Sequence, residues 1–113
     1  MSLIRAEIWC AAYVRRNNQL GHICVMAKKG DPIAGQIWIE VDHLDGTASL
    51  FSPAPALMRL DDQPDWVFQC RFDRQPVEKI NQRISQEEQF DPDFWLIILE
   101  SPKGDHSLSL VSA

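Results

Sequence analysis

The sequence predicts an α+β fold: a single, mostly antiparallel sheet of about five to six strands with two helices, in the order α-β-β-β-β-α-β-β. Three observations point to it. QIWIEVD (Gln36 to Asp42) and WVFQCRF (Trp66 to Phe72) alternate apolar and other side chains as half-buried strands do. Asp45-Gly46 is a strong short hairpin signal, placed between QIWIEVD and TASLFS. Two further stretches, one near the N-terminus and one after Pro76, carry helical rather than strand patterning.

The first helix is expected between Arg5 and Gln19. Its alanines, Ile8 and Val14 make it apolar around most of its circumference, so it should be largely buried. Arg15, Arg16 and Gly21 are the stop signals: cations in the last turn and glycine beyond it. HICVMAK (His22 to Lys28) then alternates, with Ile23, Val25 and Ala27 on one face, and KGDPIAG is a connection made of turn formers. In QIWIEVD the residues Ile37, Ile39 and Val41 share a face. A two-residue turn at Asp45-Gly46 pairs Val41 with Leu50 and Glu40 with Phe51, so Leu50 joins that face. The opposite face then collects Trp38 and Phe51, with Met26 beside them, among Lys28, Glu40, Asp42 and Ser49.

Ser52 to Asp65 is proline-rich and reads as a loop. Along Trp66 to Phe72 the residues Trp66, Phe68, Cys70 and Phe72 fall on one side. Pro76 opens the second helix, whose thin apolar stripe of Val77, Ile80 and Ile84 marks it as peripheral. Asp91-Pro92 stops it, because the residue before proline is pushed out of the α region. DFWLIILE (Asp93 to Glu100) is apolar at both parities, as a central strand covered on both faces is. A last weak strand is expected from His106 to Val111, with Leu108 and Leu110 aligned.

At 113 residues the chain is expected to be one domain, 1–113. Its net charge of −5 argues against a nucleic-acid partner and against an anionic lipid surface. No apolar run approaches a membrane span, and the run Ile8 to Val14 is too short for a signal peptide core. The expected location is cytoplasmic. Cys10, Cys24 and Cys70 fit that reading as buried free thiols.

Four ordered motifs carry a resemblance. They are Trp9, Ala12, Arg15 and Arg16 in the first helix; K-G-D-x-x-A-G from Lys29 to Gly35; L-D-G-T-A-x-L-x-x-P-A-P from Leu44 to Pro55; and F-D-P-D-F-W-x-I-x-L-E from Phe90 to Glu100. Together they resemble the small alphaproteobacterial family known as domain of unknown function 1491, over nearly the whole chain. The resemblance implies a bacterial, cytoplasmic, single-domain protein and brings no activity with it.

No assembled chemistry stands out. His22-x-Cys24 is the only close soft-ligand pair, short of the four ligands a structural zinc needs, so no metal site and no cofactor are assigned. Glycines Gly30 and Gly35 join strands and do not form a phosphate cradle. The carboxylates of EEQFDPDFW are the densest charged cluster. Glu87 and Glu88 sit in the last turn of a helix, where the macrodipole disfavours them, and Arg15 and Arg16 are their expected partners beside Asp91 and Asp93. The leading expectation is an interaction or oligomerisation module without catalysis, acting through Met26, Trp38 and Phe51 on a homo-oligomer or protein partner. The alternative is a small enzyme or ligand-binding domain using Arg15, Arg16, Asp91 and Asp93.

Overall fold

The computed structural model describes residues 4–55 and 66–111. Its elements are α1 (Ala6–Gln19), β1 (Ile23–Lys28), β2 (Gln36–Asp42), β3 (Thr47–Pro53), β4 (Phe68–Pro76), α2 (Val77–Phe90) and β5 (Phe94–Glu100). The strands form one sheet in the order β1-β5-β2-β3-β4. β5 runs antiparallel to β1 and parallel to β2, and the remaining neighbours are antiparallel. The expected α+β class and mostly antiparallel sheet are present, with β5 inserted between two earlier strands. Its apolar residues at both parities make that slot the suitable one: Trp95, Ile97 and Leu99 enter one core, Phe94, Leu96 and Ile98 the other.

The two helices lie on opposite faces. α1 packs on β1, β2 and β5, and α2 on β3 and β4. α1 is less buried than its composition implies. Only Ala6, Cys10, Tyr13 and Asn17 are buried, while Ile8 is exposed. The stripe at helical spacing makes the contact, and the remaining alanines serve helix propensity, not the core. The helix ends as expected, with Gly21 at φ +95°: His22 N–H bonds Asn17 O at 3.0 Å and Gly21 N–H bonds Asn18 O at 3.1 Å, a Schellman motif. Its N-terminus has no side-chain cap. Instead the loop before β2 supplies carbonyls, Pro32 O accepting from Glu7 N–H at 2.9 Å and Ile33 O from Ala6 N–H at 3.2 Å.

The β2–β3 hairpin forms, one residue out of the expected register. Glu40 pairs with Leu50 and Ile39 with Phe51. The loop is longer than two residues: His43 N–H bonds Thr47 O at 3.1 Å, with Leu44 at φ +61° and Gly46 at φ +88°. Asp45 accepts from both the Thr47 amide (3.0 Å) and hydroxyl (2.6 Å), which stabilises this wider turn. A one-residue slip exchanges the faces of a strand. Leu50 therefore packs with Ile80, Ile84, Phe94 and Leu96 under α2, and Phe51 joins the core under α1.

β4 departs from strict alternation as well. Its pairing with β3 is irregular around Leu50, which faces Phe72 while Phe51 faces Cys70. Phe68 and Phe72 consequently point into different cores, and Cys70 is exposed. β4 also continues through Pro76 directly into α2, beyond its expected end at Phe72. Most of the proline-rich loop lies outside the described residues.

The expected last strand does not form. Leu110 makes a single parallel bridge to Phe68, and the segment after Ser101 runs as a strap across the α1 face. Tyr13 Oη donates to His106 O at 2.7 Å, Phe68 N–H to Ser109 O at 2.8 Å, and Val111 N–H to Phe68 O at 2.9 Å. Ser107, at φ +58°, breaks the extended geometry that a full strand needs. Leu108 reaches the core, whereas Leu110 is exposed.

The outer edge of β1 is protected. The Asn18 side chain accepts from Cys24 N–H at 2.9 Å and donates to Cys24 O at 3.0 Å, occupying the ladder position of a further strand. The pairing then shifts between Met26 and Lys28, and the Lys28 ammonium turns back onto Pro92 O and Phe94 O.

The connection before β2 is tight. Trp95 Nε1–H donates to Asp31 O at 2.8 Å, and a Cβ built on Gly35 would lie 2.8 Å from Asp31 N and 2.9 Å from Trp95 Nε1. Gly35→Ala should lower stability by roughly 1–3 kcal/mol through this overlap. The measurement is the urea-unfolding midpoint; an unchanged midpoint would show that the loop relaxes freely.

Candidate functional site

The expected charged cluster is dispersed by the placement of the helices. Arg15 and Arg16 are exposed on α1, whereas Glu87 and Glu88 belong to α2 on the other side of the sheet. Glu87 is buried and pairs within its own helix, with Arg83 at 3.1 Å. Asp93 Oδ1 accepts from Asp31 N–H at 2.7 Å, and Asp91 Oδ1 from Asp93 N–H at 3.2 Å. These carboxylates fasten turns. Arg15 and Arg16 do not neutralise them, because the helices never lie side by side.

The Met26, Trp38 and Phe51 set is divided too. Met26 and Phe51 face the α1 side and Trp38 the α2 side, with Trp38 and Phe51 both buried. Trp38 packs against the Phe94 ring at 6.1 Å and lies under the Arg83 guanidinium at 5.1 Å. The cause is the hairpin register, which moves Phe51 to the other face.

A different surface emerges on the α2 side. The registers align Val25, Ile98, Glu40, Leu50 and Phe72 across the five strands. α2 covers Leu50 with Ile80 and Ile84; it packs chiefly on β3 and β4, and its side chains reach Trp38 of β2 and Phe94 and Leu96 of β5. The β1 edge is open: Ile23 is 59% exposed and Val25 48%, next to half-buried Ile98, whereas Phe94 and Leu96 of β5 are covered. At the boundary of the covered and open halves stands Glu40, only 6% exposed. Among the described residues it has neither a hydrogen bond nor an ion pair. Burial raises its pKa above the ordinary glutamate value, and the neighbouring Asp42 raises it further. Asp42 and Glu100 continue the acidic side of this surface, paired across β2 and β5. In sequence Glu40 shares the parity of Trp38; the signal for it was a carboxylate in an otherwise apolar strand.

The thiols are not prepared for nucleophilic chemistry. Burial pushes Cys10 up to about 12 and Cys24 to about 11. Cys70 is raised as well, by partial burial and by Asp73. His22 and Cys24 do not gather further ligands; among the described residues no group of three or more His, Cys, Asp or Glu side chains is arranged to hold a metal.

A mixed sheet with one helix on each face, a strap along one face and a half-open second face defines a small α+β domain. The family model of DUF1491, a protein of unknown function, matches residues 4–109, and the chain belongs to that family. Three solved structures agree. The crystal structure of a DUF1491 protein from Caulobacter crescentus CB15 is 27% identical, with a TM-score of 0.78 over 97% of this chain and 99% of that one. The solution structure of Atu0922 from A. tumefaciens is 28% identical, with a TM-score of 0.82 over 100% and 98% of the two chains. The NMR structure of the Caulobacter family protein is 29% identical, at 0.78, over 99% and 100%. No curated protein matches.

The burial pattern sets a thiol prediction. At mildly alkaline pH a disulfide reagent should label Cys70 rapidly, and Cys10 and Cys24 only after denaturation. Rapid labelling of Cys24 in the native protein would show that β1 opens locally.

Proposed function

We propose that the chain is a non-catalytic association module, and that the open half of the α2 face receives a segment of another protein carrying a lysine or arginine between apolar side chains. The observation that carries this reading is Glu40: a residue only 6% exposed, its carboxylate without a protein partner among the described residues, on the same face as exposed Ile23 and Val25. A buried charge without a counter-ion is costly, and a docking cation removes that cost while the apolar neighbours bury its flanks. A second copy of this chain fits less well. A two-fold arrangement would bring the Glu40, Asp42 and Glu100 groups of both copies together, in a protein already at −5. Addition of a strand at β1 is opposed by the Asn18 plug and the shift before Lys28. The reading includes a cytoplasmic location, supported by three free cysteines, one of them exposed. Among the described residues no helix is long and apolar enough to cross a membrane.

Glu40 makes a pH prediction. Its folded-state pKa is raised, so over the window from the ordinary glutamate value up to the raised one the folded chain holds a proton that the unfolded chain has released. Stability conferred by the protonated form therefore falls as pH rises through that window. Glu40→Gln should flatten this fall and stabilise the free protein at neutral pH, measured by urea unfolding from pH 4 to 8. A destabilised variant at neutral pH would mean that the carboxylate is already compensated.

Docking is tested by selecting peptides on the protein from a random library. Selected peptides should carry a cation flanked by apolar residues, and Glu40→Gln and Val25→Asp should each weaken them by at least about tenfold. Peptides that bind both variants as well as the parent would overturn the reading. So would a dimer in sedimentation that Val25→Asp dissolves, because the second copy would then be the occupant.

A further inference from the structure

On the opposite face, where the strap crosses the ends of β2, β3 and β4, lies a cavity of about 170 Å³. Val41 and Phe51 form its floor, and Lys103, Gly104 and His106 belong to the strap above. Its polar wall is a chain of bonds. Arg74 N–H donates to Ser49 Oγ at 3.1 Å, and Ser49 Oγ lies 3.3 Å from Asp73 Oδ1 and 2.9 Å from His43 Nε2. The hydroxyl has one proton, and the carboxylate can only accept it. Ser49 therefore donates to Asp73, and the bond from His43 must be donated by its Nε2–H. In the neutral ring that leaves the Nδ1 of His43 as a bare acceptor. His43 is only 5% exposed, and its Nδ1 has no partner.

Around this acceptor are donors. Arg74 is held at φ +51°, a strained position for a residue with a side chain, and makes no ion pair among the described residues; neither does Lys103. Gly104 leaves the space beside them free: a Cβ there would lie 3.4 Å from His43 Cε1, 3.9 Å from its Nδ1 and 3.7 Å from Arg74 Nη2. His106 accepts Leu108 N–H at Nδ1, at 3.0 Å, so its neutral ring carries the proton on Nε2. Burial lowers the His106 pKa and favours that neutral form.

We propose that this cavity binds inorganic hydrogen phosphate, with the Arg74 guanidinium and Lys103 ammonium taking its anionic oxygens and its remaining P–OH donating to His43 Nδ1. The match is of donors to acceptors. Two cations serve an oxyanion, and a buried lone pair is satisfied by a ligand that still carries a proton. Free phosphate keeps at least one P–OH at neutral pH. Sulfate has none, and a phosphate monoester, with its second pKa near 6, has mostly lost its own. Asp73 and the exposed Asp45, which feels both Arg74 and His43, set the acidic margin and work against fully deprotonated anions.

The test is a titration of the isotope-labelled protein with inorganic phosphate at constant ionic strength, followed through the His43 ring and Gly104 amide resonances. Saturable shifts are expected, with sulfate and a small phosphate monoester each at least roughly tenfold weaker. Arg74→Gln and Lys103→Gln alter exposed side chains and should keep the fold, which the same spectra check, while each weakens phosphate roughly tenfold. No saturable shift at His43, equal response to sulfate, tighter binding of the monoester, or indifference to both substitutions would each overturn the assignment.

Discussion

The constraint on which the rest of the structure depends is β5, a strand whose side chains are apolar on both faces. Such a strand is stable only at the centre of a sheet with cover above and below. Its position between β1 and β2 produces the parallel β2–β5 pair, and it requires one helix on each side. α1, which precedes the sheet, packs on β1, β2 and β5. α2, which leads from the far edge strand back to β5, takes the other face. Had the helices shared a side, the row of Phe94, Leu96 and Ile98 would face water.

The cover on the two sides is unequal, and this follows from the path of the chain. The α1 face has a helix over its β1 end and the strap after Ser101 over its β4 end, locked by Tyr13 and Phe68. The α2 face has a helix alone, and that helix must begin where β4 ends at Pro76. Its contacts therefore fall chiefly on β3 and β4, Ile98 lies at the margin of the cluster it covers, and Val25 lies beyond. The boundary passes next to Glu40, which explains how a carboxylate comes to be nearly buried without a partner.

Elements were legible in the sequence where a local pattern decides them: the stop at Gly21, the start at Pro76, the doubly apolar DFWLIILE. What escaped was decided by the relation between elements. Asp45-Gly46 marks the hairpin, yet the turn uses the Asp45 carboxylate to hold Thr47 and widens by one residue, which sends Leu50 and Phe51 to faces opposite to those expected. The irregular β3–β4 pairing does the same to Phe72 and frees Cys70. Arg15 and Arg16 looked like partners for Glu87 and Glu88 because both sets lie at helix ends. No local signal states which face of the sheet each helix takes. Glu40 and His43 were unreadable as special for the same reason: their distinction is the absence of a partner, and that exists only after folding.

Two unpartnered groups come from one strand and its turn, Glu40 toward α2 and His43 toward the strap; the buried Ser101 hydroxyl, just after β5, is a third. In a chain of this size little stability separates the folded from the unfolded state, and each buried group left without a bond costs about 1–3 kcal/mol. A packing role does not account for either. An aliphatic side chain at Glu40 would fill the gap between Ile98 and Leu50 without desolvating a charge, and a phenyl ring at His43 would leave no lone pair facing Gly104. Asn17 offers the contrast within the same molecule: as fully buried as they are, it is held by a bond to Tyr13 O at 2.9 Å. Of the groups the fold leaves without a bond, Glu40 borders the open surface and His43 a cavity, while the buried Ser101 hydroxyl sits where β5 passes into the strap.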